Sequence, residues 1–277
     1  MAIDQLIRQA LLEDGADHDL TSLATIESKR ECAGSFIVKT PGIFSGSSLL
    51  LAVFQQINPK IDINIIKEDG TFVNKGDVVA GIEGRMQDIL KGERVALNII
   101  ERLSGVASLT SKYVEEVRGT NCIIEASRDT TPLYREAEFK AITDAGGIVN
   151  RTGLNDHMVI TKNHVYVTGT ITDAIRLARK KDATSFIEVE VETEEAFIEA
   201  LDAGANSIIM CDMTNDMMKR LIALPHKGVL LKASGNMTIA RTRSVALLGV
   251  DAIIVNCLSL QAKGLEMKLR FLKRSFK

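Results

Sequence analysis

The chain has 277 residues, of which 45% are hydrophobic and 25% are charged. These are ordinary values for globular proteins, so they argue against global disorder, and the length suits two domains better than one. The net charge of −2 excludes the overall basic excess that is typical of nucleic-acid-binding proteins. We therefore expect small-molecule partners and no nucleic acid.

The cysteines and the N-terminal residues indicate a cytoplasmic protein. The cysteines form no Cys-x-x-Cys pair and lie far apart, at Cys32, Cys122, Cys211 and Cys257. This spacing predicts reduced cysteines rather than a disulfide framework or a zinc site. The first residues, MAIDQLIRQALLEDG, lack the uninterrupted apolar core of a signal peptide. No segment approaches the roughly 20 apolar residues that cross a bilayer.

The first part of the chain mixes helices with β-prone runs. Apolar spacing predicts a helix over residues 3–13, strands over 34–39 and 61–66, and a long helix over about 88–117. The segment EDGTFVNKGDVVAGIEG places turn-forming pairs between short β-prone runs. We predict a β-rich α+β sandwich domain over residues 1–110. The terminal LEMKLRFLKRSFK is predicted to be a solvated helix, able to pack back on this domain.

From residue 121 onwards, β-branched apolar runs alternate with helix-like stretches. The runs are CIIEAS, MVITK, SFIEVEVE, SIIMCDM, GVLLKASG and AIIVNCL. The helix-like stretches cover 172–181, 194–203, 215–224 and 238–248. This alternation predicts a parallel sheet with crossover helices, most simply an incomplete parallel β/α barrel over residues 111–277. An open doubly wound sheet is the alternative. The segment DAGGIVNRTGLND has neither Walker nor dinucleotide-binding spacing and is predicted to be a tight loop that presents Arg151.

Polar and charged side chains follow the successive strands of this predicted barrel. Active sites of such barrels form at the carboxyl ends of the strands. The residues at or near those ends are Arg128, Lys162, Glu190, Glu192, Asp212, Lys232, Ser234 and Asn256. So many polar groups in register predict one functional site at the mouth of the barrel.

The acidic and basic groups predict a metal-dependent site for a phosphorylated substrate. Side chains alternate along a strand, so the glutamates of IEVEVE share one face of the sheet. Glu190 and Asp212, on neighbouring strands, could bind Mg²⁺ through water together with substrate phosphates. Anion binding is predicted for four cationic residues, Arg94, Arg128, Arg151 and Lys162. The segment KASGNMT precedes a predicted helix, whose N-terminal N–H groups favour a phosphate.

Three stretches resemble one known family over most of the chain. ERVALNIIERLSGVA, IEVEVETEEAFIEALDAGANSIIMCDM and KASGNMT resemble nicotinate-nucleotide pyrophosphorylase (carboxylating), also called quinolinate phosphoribosyltransferase. The resemblance implies a β-rich N-terminal domain before an incomplete barrel, and a homodimer or dimer-based hexamer in which subunits share sites. It also implies a pentosyltransferase of NAD biosynthesis. Its reaction joins quinolinate to phosphoribosyl pyrophosphate and releases nicotinate mononucleotide, pyrophosphate and carbon dioxide.

The resemblance also implies roles for individual residues. Glu190 and Asp212 would hold Mg²⁺ and steady the positive charge that develops on the ribose. The substrate carboxylates would be bound by arginines, namely Arg128, Arg151 and, from across the dimer, Arg94. The phosphate would be bound by the loop that contains Ser234, Gly235 and Asn236. Lys162 and Asn256 complete the predicted substrate-binding set.

Several positions depart from the family pattern. Asp129 and Thr161 stand where the family has lysines, and Asn150 replaces a histidine. Lys232 replaces an acidic residue, and Asn256 replaces a glycine. These changes alter the part of the pocket that would hold a dianionic base. Two alternatives therefore stay open: a phosphoribosyltransferase that uses a different aromatic nitrogen base, and a catalytically silent paralogue that binds a metabolite.

Overall fold

The structure, a computed structural model, describes residues 3–226 and 228–272. It divides into two compact units. The first unit contains the residues up to 111, the segment 130–146 and the C-terminal residues from 259 onwards. The second unit contains 112–129 and 147–258. The first stretch ends close to the predicted boundary at residue 110, but two later stretches also belong to the first unit.

The helices and strands alternate regularly in the second half of the chain. The helices are α1 (Ile3–Glu13), α2 (Leu20–Thr25), α3 (Ser47–Ile57), α4 (Met86–Val117), α5 (Arg135–Asp144), α6 (Lys162–Thr168), α7 (Ile171–Lys181), α8 (Glu194–Asp202), α9 (Asn215–Ile222) and α10 (Ile239–Ala246), and a short 3₁₀-helix spans Ala16–His18. The strands are β1 (Glu31–Val38), β2 (Gly42–Ile43), β3 (Asp62–Ile65), β4 (Phe72–Val73), β5 (Val78–Arg85), β6 (Ile123–Ala126), β7 (Ile148–Val149), β8 (Met158–Ile160), β9 (Ile187–Val191), β10 (Ser207–Cys211), β11 (Leu230–Ser234), β12 (Ala252–Val255) and β13 (Met267–Phe271).

The first unit contains a four-stranded sheet in the order β13-β1-β5-β3, in which the described pairs are antiparallel. Burial alternates along β1, as expected for a sheet that covers a core on one face. Helix α3 contributes buried apolar side chains to this unit, including Leu50, Val53 and Phe54. The β-rich N-terminal domain predicted from the sequence is therefore confirmed.

The helix predicted for the C-terminal segment is wrong over its described part. Residues Met267–Phe271 form strand β13, which pairs with β1. Met267, Leu269 and Phe271 alternate with Lys268 and Arg270, which is the period of a strand with one solvated face. The last part of the prediction, residues 273–277, lies outside the described residues.

The second unit contains a seven-stranded sheet in the order β7-β6-β12-β11-β10-β9-β8, and all its described pairings are parallel. Each strand from β8 to β12 lies beside the next one in the chain, which is the order of a barrel rather than of a doubly wound sheet. Strands β7 and β8 are the two ends of this order, so the incomplete barrel is confirmed. Strand β7 was not predicted, because its two residues lie in a glycine-rich segment.

Threonines begin the helices that follow the central strands. The side chains of Thr170, Thr193, Thr214 and Thr238 each accept a hydrogen bond from a backbone N–H in the first turn of α7, α8, α9 and α10. Such caps satisfy donors that have no partner within the helix, typically stabilising it by about 1 kcal/mol. Strands β9, β10 and β11 therefore each lead through a short loop directly into a capped helix.

Within the two described ranges, no helix is both long and apolar enough to cross a lipid bilayer.

Candidate active site

Two cavities lie at the carboxyl ends of the strands in the second unit. The larger cavity, about 400 Å³, is lined by residues that include Lys162, Glu192 and Asp212. The smaller cavity, about 190 Å³, is lined by residues that include Arg128 and Arg151. Both cavities share three lining residues, Glu190, Ser234 and Asn256. Strands β9, β11 and β12 thus supply a common wall between an acidic cavity and one that contains two arginines.

Glu190 lies near the end of β9 and is half-buried. Burial raises the pKa of Glu190 above its ordinary value, and the positive charge of Arg151 opposes this rise. Glu188, two residues earlier on the same face, is fully buried, whereas Glu192 is exposed. The three glutamates therefore do share one face, as predicted, but at three depths, and Glu190 is the one at the wall between the cavities.

Asp212 directly follows β10 in a backbone conformation that is unusual for a non-glycine residue. Its φ angle is 54°, and its backbone N–H donates to the Ser234 carbonyl oxygen over 3.1 Å. A Cβ atom at Gly235 would lie 2.3 Å from Asp212 Oδ1, so the aspartate side chain packs directly against the glycine backbone. Left-handed backbone at non-glycine residues concentrates at functional sites. The loop after β11 and the loop after β10 therefore hold one another at the larger cavity.

The two arginines of the smaller cavity lie near carboxylates. Arg151 Nη1 donates to the His157 carbonyl oxygen over 3.3 Å. Burial lowers the pKa of Arg151, as does the charge of Arg128, while Glu188 and Glu190 counteract them. Asp129 also lines this cavity and accepts a hydrogen bond from Ser127 Oγ over 2.9 Å. The cavity is therefore lined by charges of both signs.

The remaining predicted site residues lie at different places. Lys162 begins α6 at the mouth of the larger cavity, where its Nζ lies 3.1 Å from Glu192 Oε1. Asn236 has a φ angle of 29° and lines neither cavity. Thr161, which stands where the family has a lysine, forms a capping box with His164 at the start of α6. Arg94 lies exposed on α4 in the first unit, so its role in the site stays a prediction.

The interior of the incomplete barrel contains charged side chains whose proximity was not predicted from the sequence. Lys232 Nζ lies 2.7 Å from Glu188 Oε1 and 2.9 Å from Glu125 Oε2. It also donates to Asn150 Oδ1 over 3.3 Å. Glu188 Oε2 lies 3.0 Å from Asn150 Nδ2 and 2.9 Å from His157 Nε2. We call these five residues the interior charge cluster.

The charges of this cluster depend on one another. Burial opposes the charged form of Lys232, but the contacts with Glu188 and Glu125 outweigh it and raise the pKa of Lys232. Burial likewise works against ionised Glu188, but Lys232, Asn150 and His157 hold the pKa of Glu188 below its ordinary value. For Glu125, burial dominates and raises the pKa despite Lys232. The sequence contains a signal for this cluster, because charged residues of opposite sign lie at inward-facing positions of three otherwise apolar strands.

Two models of one protein family match consecutive parts of the chain. The model described as "Quinolinate phosphoribosyl transferase, N-terminal domain" matches residues 19–104. The model described as "Quinolinate phosphoribosyl transferase, C-terminal domain" matches residues 106–270. Together they cover most of the chain, including both cavities.

Whole proteins agree with the family models. A Bacillus subtilis protein named "Probable nicotinate-nucleotide pyrophosphorylase (carboxylating)" is 32% identical over 97% of this chain and 93% of its own length. The chloroplastic rice enzyme of that name is 32% identical over 96% of this chain and 76% of its own length. Among solved structures, nicotinate-nucleotide pyrophosphorylase from Ehrlichia chaffeensis matches with a TM-score of 0.94 and 28% identity, covering 98% of this chain and 99% of the other. The Francisella tularensis structure matches with a TM-score of 0.93 and 27% identity over 98% and 96% of the two chains. With both domain models matched in order and relatives aligned end to end, this chain belongs to the quinolinate phosphoribosyl transferase family.

Proposed function

We propose that this protein is a phosphoribosyltransferase of NAD biosynthesis that joins phosphoribosyl pyrophosphate to quinolinate and releases nicotinate mononucleotide, pyrophosphate and carbon dioxide. The observation that carries this proposal is the pair of adjoining cavities with Glu190 in their common wall. One cavity suits a phosphorylated sugar, and the other suits an anionic aromatic base. The reacting ribose carbon would lie where the two meet.

The larger cavity suits phosphoribosyl pyrophosphate and Mg²⁺. Glu190 and Asp212 both line it, and Ser234 and Gly235 lie on the same wall. Mg²⁺ is commonly bound by one or two carboxylates, with substrate phosphates and water as its other ligands. The described part of the chain has no group of three or more His, Cys, Asp or Glu side chains arranged for a metal, so two carboxylates plus substrate oxygens are the fitting arrangement. The bound metal would neutralise the leaving pyrophosphate.

The smaller cavity suits the base. Arg128 and Arg151 can each form bidentate contacts with a carboxylate. Glu190 faces the junction, where the ribose carbon becomes positively charged as pyrophosphate leaves. Its carboxylate would stabilise that charge. The chain thus holds the base by its carboxylates and stabilises the sugar on its other side.

The test is a pyrophosphate-release assay with phosphoribosyl pyrophosphate, Mg²⁺ and quinolinate. We expect Arg151→Ala to raise KM for quinolinate about 100-fold, because removing one partner of a charged contact costs about 3 kcal/mol. Its control is Arg176→Ala, on the exposed side of α7, which should leave KM unchanged. Absence of turnover with quinolinate, in folded protein that binds phosphoribosyl pyrophosphate, would refute the proposed acceptor.

One observation favours a second candidate, a transferase that acts on a different aromatic nitrogen base. Asp129 lines the smaller cavity, and an added carboxylate there weakens the attraction for a dianionic base. The same assay with a panel of pyridine and imidazole bases separates the two candidates. Turnover with another base alone would identify it as the acceptor, whereas silence across the panel with ligand binding intact would indicate a metabolite-binding paralogue.

A substitution at Gly235, in the loop after β11, gives a further prediction. Gly235→Ala should destabilise the protein by about 1–2 kcal/mol, because the φ angle of 79° is unfavourable for other residues. It should also lower kcat/KM at least about tenfold, because the new methyl group must displace the Asp212 carboxylate. The control is Gly204→Ala, which has a φ angle of 83° and no neighbouring atom within 4 Å. Equal activity of the two variants, at equal loss of Tm, would contradict the prediction.

We also propose that the protein is a cytoplasmic homodimer with shared sites, in which Arg94 reaches the partner subunit's cavities. Mixed and refolded Arg94→Ala and Glu190→Gln proteins should then recover about a quarter of the wild-type activity, because half of the dimers are mixed and each of these has one intact site. Each variant alone should be nearly inactive. If the mixture stays inactive although the subunits exchange, Arg94 does not act across a dimer.

A further inference from the structure

The interior charge cluster lies directly beneath the smaller cavity. Asn150 belongs to both, because it lines the cavity and also contacts Lys232 and Glu188. The side chains of Lys232 and Glu125 are 6% and 8% exposed, and that of Glu188 is fully buried. A bound base would therefore lie one side chain, Asn150, away from these charges.

Stability alone does not account for the cluster. Replacing a buried ion pair by apolar residues of similar volume is often neutral or stabilising, since removing the charges from water is costly. The surrounding strands already contribute apolar residues such as Val159, Ile209 and Ile254, all of which line the smaller cavity. Lys232 pairs in register with Ile209, so an apolar residue at position 232 would extend the apolar packing beneath this surface. A buried lysine at this position is therefore better explained by an electrostatic effect on the cavity above it.

The sign of that effect follows from the charges. Glu125 and Glu188 together would place two negative charges under a cavity that receives an anion. Lys232 reduces this net negative charge from two to one. The apolar walls screen the remaining charge poorly, because the effective dielectric constant inside a protein is far below that of water. Glu188 also attracts the positive charge of Arg151 from below. Its ion pair with Lys232 reduces its competition with the ligand for this arginine.

On the basis of the proposed function, we infer that Lys232 is a specificity-determining residue, which neutralises the carboxylates beneath the smaller cavity and so permits an anionic acceptor base to bind. Lys232 does not touch the base. It acts through the charge that the base experiences. Its contribution should therefore grow with the number of carboxylates on the ligand.

The test compares three variants with three pyridines by calorimetry at pH 8. The variants are Lys232→Met, which leaves both carboxylates, Glu125→Gln, which removes one, and the double variant, which restores the wild-type charge. The ligands are quinolinate, nicotinate and nicotinamide, with two, one and no carboxylates. For Lys232→Met we expect Kd to rise about tenfold for quinolinate and about threefold for nicotinate, with no change for nicotinamide.

The results expected for Glu125→Gln and for the double variant distinguish this electrostatic role from a structural one. Glu125→Gln should tighten quinolinate binding about tenfold, and the double variant should return to the wild-type Kd. If Lys232→Met does not fold, Glu125→Gln alone still tests the inference. If the role of the cluster were purely structural, Glu125→Gln would weaken quinolinate binding and would not tighten it. Equal losses for all three ligands, or no tightening in Glu125→Gln, would overturn the inference. Charge-ranked binding without pyrophosphate release would instead refute the proposed function and leave the inference standing.

Discussion

We expect Glu190→Gln to lower kcat for pyrophosphate release at least about 100-fold, with little change in stability, because deleting one group that stabilises transition-state charge costs this much in other enzymes. Glutamine keeps the shape of the side chain and removes only its charge. Glu190 is half-buried in the wall that the two cavities share. Under the proposed function, its charge would act at short range on the ribose carbon bound between them. The loss should appear in kcat, since the carbon is positively charged only in the transition state.

The matched control is Glu194→Gln. Glu194 begins α8, four residues further along the chain, and forms a solvated ion pair with Arg220 at 3.5 Å. Exposed pairs of this kind contribute little, so kcat should stay within about twofold of wild type. A Glu190→Gln enzyme that keeps its kcat and changes only KM would show that Glu190 binds the ground state and does not stabilise the developing charge.

We expect Lys232→Met to lower the free energy of unfolding by about 3–5 kcal/mol, the usual cost of removing one partner from a buried ion pair. Methionine replaces the volume of the lysine stem but leaves Glu125 and Glu188 facing one another without a cation. Both are buried, and Glu188 has no exposed surface. Urea unfolding followed by circular dichroism measures the change as a shift of the midpoint.

Two other variants provide the comparisons: one replaces a solvated lysine, and one removes all three charges of the buried ion pairs. Lys219→Met, on the exposed side of α9, should change stability by less than about 0.5 kcal/mol. The triple variant Glu125→Gln, Glu188→Gln and Lys232→Met should recover most of the loss, because no unpaired charge remains buried. If Lys232→Met unfolds at the wild-type urea concentration, Lys232 is not the counter-charge of the two glutamates.

The sequence predicts the barrel well because the central strands are apolar on both faces. In SIIMC, for example, buried side chains point both to the barrel interior and to the helices, so the run is unbroken and easily recognised. Helices α7 to α10 were predicted within about two residues of their ends, since threonines mark their starts and their apolar faces recur at helical spacing, whereas α5 and α6 were not predicted. These signals are local, and therefore readable without a structure.

Two of the missed elements, strands β7 and β13, depend on partners that are distant in the chain. Strand β7 has two residues and exists because β6 pairs with it. The C-terminal strand forms against β1, and the short segment alone fits a basic helix as well as a strand. Tertiary pairing decided both cases; the local alternation of the C-terminal segment suits a strand, but the segment is too short for that signal to exclude a helix.

The candidate site shows the same difference between features that local sequence predicts and features that depend on distant residues. Glu190, Asp212, Ser234 and Asn256 were predicted individually from their positions after strands, and the structure places all four around the larger cavity. The interior charge cluster does not follow from the sequence alone, although Lys232 departs from the family pattern. A sequence shows that a charge lies inside a strand, but it does not show which opposite charge on another strand its side chain reaches.

The pairing of β1 with β13 has a consequence for the order in which this protein can fold. Gly34 pairs with Phe271 and Val38 with Met267, so one sheet joins an early segment to one that is synthesised after the whole second unit. The first unit cannot complete its sheet until the second unit has been synthesised, and until then β1 lacks its neighbour on that side. An unpaired strand edge is prone to aggregation. We therefore expect the N-terminal sheet to be prone to aggregation until β13 is available, and removal of β13 should impair solubility before it affects any residue of the candidate site.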